Sequence, residues 1–437
     1  LMLPRDLYFD EEAQKALKAI RMLNPAAPDT ATATTAAADT TAATDASSSS
    51  SSSDSDSDSD ATQALELLKN VGGEDQATLT LIGYKGGQLT EQINQDRSFV
   101  ISPYYIKTDK KVMKRLMGVF DGHAKLGEKV SEYSVSALPQ LLSKKLEVIL
   151  DAATDASSSS DQKQEQQTQD DHHPKAEIRQ ALSETFIELD KTAPAEKSGG
   201  CTASIVLQLG RYVYVANAGD SRSMIVTYNK STSDVNIEYI TREDKPDLPE
   251  ERKRVERMGG QVYVPPPERL QKGASSRVLY VDKVTGGTNG LAMSRSIGDW
   301  AAGEKGVIPD PTIDVLDITD LTKAGAGLGR CKATSPASTA SIDAETGEAS
   351  VEDSDSSSCS SSGEIEVFAV SATDGLLDFI SVDVIAKTVA ESLYEEDGPH
   401  PLSACESLIT TAASAWWKAK NGRYRDDIAI SVSKLSL

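Results

Sequence analysis

A chain of 437 residues is long enough for one large domain or two to three ordinary ones, and its 38% hydrophobic content can build a real core. Its 45 basic side chains against 67 acidic ones leave a net charge of −22 and an isoelectric point near 4.7, a balance that excludes non-specific gripping of nucleic-acid phosphate or anionic lipid. Four cysteines, Cys201, Cys331, Cys359 and Cys405, lack CxxC spacing, and no run of about 18 apolar residues occurs, so a disulfide framework, a zinc site and a membrane span are all unexpected.

In chain order, residues 1–76 read as an N-terminal extension. Its first ten residues lack the apolar core of a signal peptide, and a cytoplasmic or nuclear protein is expected. An amphipathic helix over 10–23 is expected to pack on the domain that follows. Residues 30–61 are almost entirely Thr, Ala, Ser and Asp, cannot bury enough apolar surface to offset their ordering entropy, and are expected to be disordered. Stretches at about 151–174 and 322–363 have similar low-complexity composition but lie between strongly patterned segments. They read as insertions, solvated spacers in the main, within one domain spanning 77–437. The acidity follows them: 45–60, 151–171 and 341–364 together carry −17 of the −22. The Ser-Asp runs would also suit acidophilic kinases.

Between the insertions, short β-patterned runs predict strands over 78–83, 97–102 and 116–120, a hairpin of 202–209 with 212–216 across Gly210-Arg211, and strands over 224–228, 235–240, 366–371 and 428–432. Helical spacing predicts helices over 127–150, 176–189, 249–258, 382–393 and 401–418. Strands joined by short turns, with helices arriving in groups, argue an α+β fold with antiparallel sheets and against a doubly wound parallel one.

The chemistry is carried by Asp residues at the ends of apolar strands. Gly118-Val119-Phe120-Asp121-Gly122-His123 brings a carboxylate out at a strand end, where the glycine lets the backbone turn and expose its carbonyl. Asp374-Gly375 follows the apolar run at 368–371, and Asp426-Asp427 precedes the last strand. Any one of these alone reads as an ordinary turn; together they change the odds. An Asp-rich set poor in His and Cys suits hard divalent cations, Mg²⁺ or Mn²⁺, rather than zinc or copper.

Eight stretches in order resemble the protein phosphatase 2C family of metal-dependent Ser/Thr phosphatases. They are Asn94-Gln95-Asp96-Arg97, Val119-Phe120-Asp121-Gly122-His123, Gly200-Cys201-Thr202-Ala203, Ala216-Asn217-Ala218-Gly219-Asp220-Ser221-Arg222, Thr241 to Pro246 with Gly259-Gly260-Gln261-Val262, Leu291 to Asp299, Ala372-Thr373-Asp374-Gly375-Leu376 and Asp426-Asp427-Ile428. The resemblance implies a central β-sandwich of two antiparallel sheets flanked by helices, with a binuclear Mg²⁺ or Mn²⁺ centre at one end. It further implies that Asp121 bridges two ions, that the Gly122 carbonyl completes one site and that Asp374 and Asp426 ligate the other. Asp220 and Asp378 match positions able to hold a weaker third ion, Asp96 fits a residue that orients metal-held waters, and His123 matches the general acid. Read alone, Asp220 would equally be a turn residue tying down Arg222. The Arg of Ser221-Arg222 and of Ser294-Arg295 reads as a structural brace, and 245–284 corresponds to the family's flap beside the cleft.

Some positions depart from the family pattern. Ala124-Lys125 stands for Gly-Gly, Leu377 for Trp, and Asp427 for Asn, the last expected to add a carboxylate that alters metal affinity. Glu91 occupies the position of a phosphate-binding Arg in the animal-type enzymes, so either a neighbouring Lys such as Lys85 substitutes or substrate binding is weakened. The expected function is hydrolysis of phosphoserine and phosphothreonine in proteins by a monomer that binds neither nucleic acid nor membrane. The alternative is a catalytically weak or inactive pseudophosphatase acting as a binding scaffold.

Overall fold

The computed structural model describes residues 73–87, 92–107, 113–158, 173–196, 198–270, 273–281, 286–327, 364–394 and 400–437. The expected helix over 10–23, the Ser-Asp-rich stretch 30–61 and Glu91 lie outside the described residues.

Strands β1 (Gln76–Leu81), β2 (Arg97–Ile101) and β3 (Lys114–Phe120) open the fold, and the two-residue β4 (Gly122–His123) leads into helices α1 (Gly127–Ser158) and α2 (Lys175–Thr192). The short β5 (Gly200–Cys201) precedes a meander of β6 (Ala203–Leu209), β7 (Tyr212–Ala218), β8 (Arg222–Asn229) and β9 (Asp234–Ile240). A smaller subassembly follows: α3 (Pro249–Arg257), β10 (Gln261–Tyr263), α4 (Pro267–Leu270), β11 (Arg277–Val281), β12 (Thr288–Leu291), β13 (Ile297–Gly298) and α5 (Trp300–Gly303). The chain closes with β14 (Thr312–Asp317), α6 (Ile318–Gly327), β15 (Ile365–Ala372), α7 (Asp374–Leu377), α8 (Val382–Tyr394), α9 (Pro401–Ala419) and β16 (Ile428–Leu435).

Two five-stranded antiparallel sheets, in the orders β1-β16-β15-β8-β9 and β14-β7-β6-β3-β2, form an α+β sandwich. Their facing sides meet through Val100, Met117, Val206, Val215, Ile225, Val367 and Ala369. On the outer face of one sheet lie α1 and α2, because Leu138, Leu142, Leu146 and Leu150 recur every four residues and Ile178, Leu182 and Phe186 do the same. On the other, α8 and α9 bury Ile385, Val389, Leu393, Leu408 and Trp416. Sequence pattern follows position: the inner strands β6 and β7 are buried on both sides and read as continuous apolar runs, whereas the edge strand β9 alternates exposed and half-buried residues. No helix among the described residues is long and apolar enough to cross a membrane.

Two elements reach into stretches that read as insertions. Helix α1 continues to Ser158 and α6 to Gly327. For α1, alanines at 152, 153 and 156 favour continuing the helix once packing has nucleated it. The edge strand β14, half-buried along most of its length, carries no clean alternation, and the sequence pattern does not predict it.

The subassembly from α3 to α5 has its own apolar core of Val255, Val278, Tyr280, Leu291, Met293, Ala302 and Val307. Its base is held by Glu251 of α3, which is fully buried and accepts hydrogen bonds from Arg242 Nη2 (2.9 Å), Arg295 Nη2 (2.7 Å) and Ser294 Oγ (2.6 Å), with Arg254 Nη2 paired at 2.6 Å. Arg295 and Ser294 are thereby braces for this acid. Burial alone would push the Glu251 carboxyl up, but the hydrogen bonds from Arg295, Arg254 and Ser294 outweigh it and hold it down at about 2. A carboxyl held low contributes stability above its unfolded-state value and loses it as pH falls, here between about 4.5 and about 2. Replacing Glu251 with Gln is expected to destabilise the protein by about 3 kcal/mol, because it leaves buried guanidinium groups uncompensated. A lower urea midpoint at neutral pH checks this, and a midpoint within error of wild type would contradict it.

Candidate active site

Antiparallel pairing gathers the strand-end acids at one end of the sandwich. Arg97 pairs with Phe120, so Asp96, just before β2, and Asp121, just after β3, emerge side by side. In the other sheet Ala372 pairs with Ile430, which puts Asp374 after β15 next to Asp426 and Asp427 before β16. Asp220 follows β7 at the same end. Thr373 Oγ1 donates to Asp96 Oδ2 (2.7 Å) and so ties the two sheets together there. Gly122 occupies a slot that only glycine fits: a Cβ would lie 2.5 Å from the Gln95 carbonyl oxygen and 2.6 Å from that of Gly127. Asp378 lies one turn beyond Asp374, its amide donating to the Asp374 carbonyl (2.8 Å), and is exposed at the rim.

These acids raise one another. Burial, then the charges of Asp96, Asp374, Asp426 and Asp220, push the Asp121 carboxyl well above the usual carboxylate range. Burial and Asp427 do the same to Asp96 against the Thr373 hydrogen bond, and Asp374 is pushed up to about 8 by burial and by Asp220, Asp426 and Asp378. Ionising the whole cluster therefore requires positive charge that the surrounding side chains supply only in part.

Two lysines supply part of that charge. Lys85 Nζ lies 3.1 Å from both Asp426 Oδ1 and Asp427 Oδ2 and donates to Gln95 Oε1 (3.5 Å). Burial would lower its ammonium, but Asp426 and Asp427 prevail and keep it charged. Asp427 is otherwise saturated: the Gly83 amide donates to Oδ1 (2.6 Å) and the Gln95 amide to Oδ2 (3.2 Å). Its extra carboxylate thus clamps the loops before β2 and after β1, while its charge acts on Asp96. Lys245 Nζ donates to Asp220 Oδ2 (2.8 Å), so Asp220 holds Lys245 and not Arg222, whose Nε donates to the Thr241 carbonyl (2.8 Å).

His123 sits on β4, opposite Gly200 of β5, and its Nε2 meets Asp299 Oδ2 at 2.6 Å. Burial opposes protonation of the ring, but the charge and hydrogen bond of Asp299 outweigh it and raise the imidazole above its ordinary value.

Two features of the site are not apparent from the sequence. One is Asp299, which ends the stretch from Leu291 and to which the motif assigns no role. The other is a buried hydroxyl ladder beneath the acids, in which Thr202 meets Ser221 (2.6 Å), Ser204 meets Ser223 (2.8 Å) and Ser223 meets Ser371 (2.7 Å). Its one sequence signal is the presence of small hydroxyl residues at inward positions of otherwise apolar strands.

The donor set fits hard divalent cations. It consists of carboxylate oxygens with a backbone carbonyl available, and Asp96 Oδ1 and Asp220 Oδ1 are buried with no hydrogen-bond partner among the described residues. Among the described residues no three His, Cys, Asp or Glu side chains are gathered closely enough to hold an ion as they stand. The fit therefore rests on donor chemistry and charge.

A family model described as protein phosphatase 2C matches residues 92–324, more than half of the chain. The probable protein phosphatase 2C 41 of Arabidopsis thaliana is 26% identical over 275 residues, covering 58% of this chain and 72% of the relative. The probable protein phosphatase 2C 48 of Oryza sativa subsp. japonica is 24% identical over 377 residues, covering 84% and 86%. Among solved structures, the serine-threonine phosphatase 2C from Toxoplasma gondii superposes with a TM-score of 0.55 at 18% identity, covering 83% of this chain and 95% of that one, a likeness of fold.

Proposed function

The chain belongs to the protein phosphatase 2C family, whose members are Ser/Thr protein phosphatases, and on that premise we propose that it hydrolyses phosphoserine and phosphothreonine in proteins with divalent-metal dependence. The observation that carries this reading is the convergence of Asp96, Asp121, Asp220, Asp374 and Asp426 at one end of the sandwich, where burial and mutual repulsion oppose their ionisation unless a cation is bound. Asp121 would bridge two ions, with the Gly122 carbonyl completing one site and Asp374 and Asp426 the other; Asp220 and Asp378 would serve a third. When bound, Mg²⁺ or Mn²⁺ supplies water activation and charge neutralisation on the phosphoryl oxygens.

The chain's own groups do the rest. Asp96, its Oδ1 unengaged, orients water for attack in line with the ester bond. As the water oxygen bonds to phosphorus and the ester P–O bond breaks, His123 gives its proton to the departing Ser or Thr oxygen. One water proton stays on the phosphate product and the other restores the imidazolium. Lys85 and Lys245 add positive charge at the rim, which lessens repulsion between the acidic cluster and an incoming phosphate. In this reading residues 77–437 are one catalytic domain interrupted at about 151–174 and 322–363, residues 1–76 are an extension, and the protein is a cytoplasmic or nuclear monomer that engages neither nucleic acid nor membrane.

Purified protein with Mn²⁺ is expected to release phosphate from a phosphothreonine peptide and to stop when the metal is chelated; absent or metal-independent turnover sinks the proposal. One observation favours the inactive scaffold instead: Lys85 spans Asp426 and Asp427 where an ion would otherwise be needed. That reading requires no turnover at any metal concentration.

A further inference from the structure

We propose that Asp299 is a positioning residue for His123: it holds Nε2 and fixes the plane of the ring, so that the imidazolium is presented in one orientation to the departing substrate oxygen. This rests on the assignment of His123 as the general acid and extends the proton-transfer machinery by one residue.

The contact is built, not incidental. Asp299 directly precedes α5, where an Asp would ordinarily cap the helix with its side chain, yet it makes no such cap. Its carboxylate turns the other way, with Oδ2 shared between His123 Nε2 at 2.6 Å and Ser296 Oγ at 2.8 Å. To do so the backbone takes a left-handed conformation, φ +50°, that L residues generally avoid. Tertiary contacts hold it there: the Asp299 amide donates to the Gly199 carbonyl (2.9 Å), and the preceding Gly298 amide donates to Asp190 Oδ1 of α2 (2.8 Å).

The small sheet β4-β5-β13 explains how two residues 176 positions apart meet. His123 and Gly298 both pair with Gly200 on the central strand β5, one from each side. A Cβ at residue 200 would lie 2.1 Å from Asp299 Oδ2, so the carboxylate crosses the strand where a glycine leaves room. The Asp299 side chain is 3% exposed, and His123 Nδ1 is buried, with the Asp121 backbone also favouring the charged ring, so the imidazole is held in one place from both sides. A carboxylate that orients a working imidazole in this way acts through the imidazole and never touches the substrate.

The test separates positioning from simple support. Wild type, Asp299→Asn, His123→Gln and the double variant are assayed with Mn²⁺ on a phosphothreonine peptide and on p-nitrophenyl phosphate. The threonine alkoxide leaves only with a proton, whereas nitrophenolate leaves without one. Asp299→Asn is expected to lower kcat on the peptide by about 10- to 100-fold, to cost at least tenfold less on the aryl ester, and to add nothing to His123→Gln. Equal losses on both substrates, or an undiminished loss in the His123→Gln background, overturn the proposal. If wild type is active and His123→Gln leaves peptide turnover intact, Asp299 loses its role while the phosphatase reading stands. If wild type is inactive, that reading falls, and long-range ¹H–¹⁵N spectra of the metal-free protein still decide the pairing. The wild-type ring should carry its proton on Nε2 and lose that preference in Asp299→Asn; identical spectra overturn it.

Discussion

Replacing Asp121 with Asn should abolish metal-dependent turnover, by about three orders of magnitude or more, and at the same time raise the melting temperature of the metal-free protein. The two effects have one cause. Asp121 lies between both sheets' contributions to the cluster, and its carboxyl is pushed up first by burial and then by Asp96, Asp374, Asp426 and Asp220. Ionising it without a cation therefore costs folding energy, while in the proposed metal centre the same charge would be offset by the bound cations. Losing several kcal/mol of transition-state stabilisation corresponds to a thousandfold or greater loss in rate. A variant that loses activity and also melts earlier without metal would point to a packing role for Asp121, and a variant that keeps activity would remove it from the centre altogether. Thermal melts in chelator, beside peptide assays in Mn²⁺, read both outcomes.

The metal-free protein should also lose stability as pH rises from about 4 to about 8, and Mn²⁺ should cancel that loss. Asp374, pushed up to about 8, binds its proton more tightly in the folded state than an unfolded Asp does near 3.8. Its protonated form thus stabilises the fold below the unfolded value, and that contribution drains away as pH passes through the folded one. Asp96 and Asp121 are raised in the same direction. Each pH unit between a group's folded and unfolded values is worth about 1.4 kcal/mol, and because the three acids repel one another they titrate as one coupled set. Glu251 acts with the opposite sign but at lower pH, between about 4.5 and about 2, so the two windows separate. Denaturant midpoints from pH 5 to 8 in chelator should fall steadily, and metal should raise them most at pH 8. A flat profile, or equal stabilisation by Mn²⁺ at pH 5 and pH 8, would show that the cluster neither repels itself nor binds the ion through those carboxylates.

How much is legible in the sequence depends on the range of the interaction involved. The main helices and the inner strands are readable because periodicity is a local signal: four leucines spaced by four in α1, or the unbroken apolar runs of β6 and β7, announce their burial without reference to anything distant. The edge strand β14 and the small strands β10 to β13 carry too little alternation to show against their neighbours, since their burial comes from partners brought in from elsewhere. The acids are legible for a different reason: Asp-Gly at a strand end is a local pattern, and eight patterns in order point to one family. What each acid touches is not. Asp220, which by its place in the chain could tie down Arg222, pairs with Lys245; Asp427 accepts from two backbone amides and pairs with Lys85.

Taken by itself, the sequence determined the α+β class, the layered antiparallel architecture and the family, because apolar spacing and ordered motifs are properties of the chain. It also determined where the acids stand, at the ends of strands. The tertiary structure alone decided which of those ends meet, because register between strands hundreds of residues apart brings Asp96 beside Asp121 and Asp374 beside Asp426. It alone decided that His123 has Asp299 as its partner. That hydrogen bond depends on three short strands whose pairing no local pattern encodes, and on a backbone conformation at residue 299 that local preference disfavours and only packing sustains.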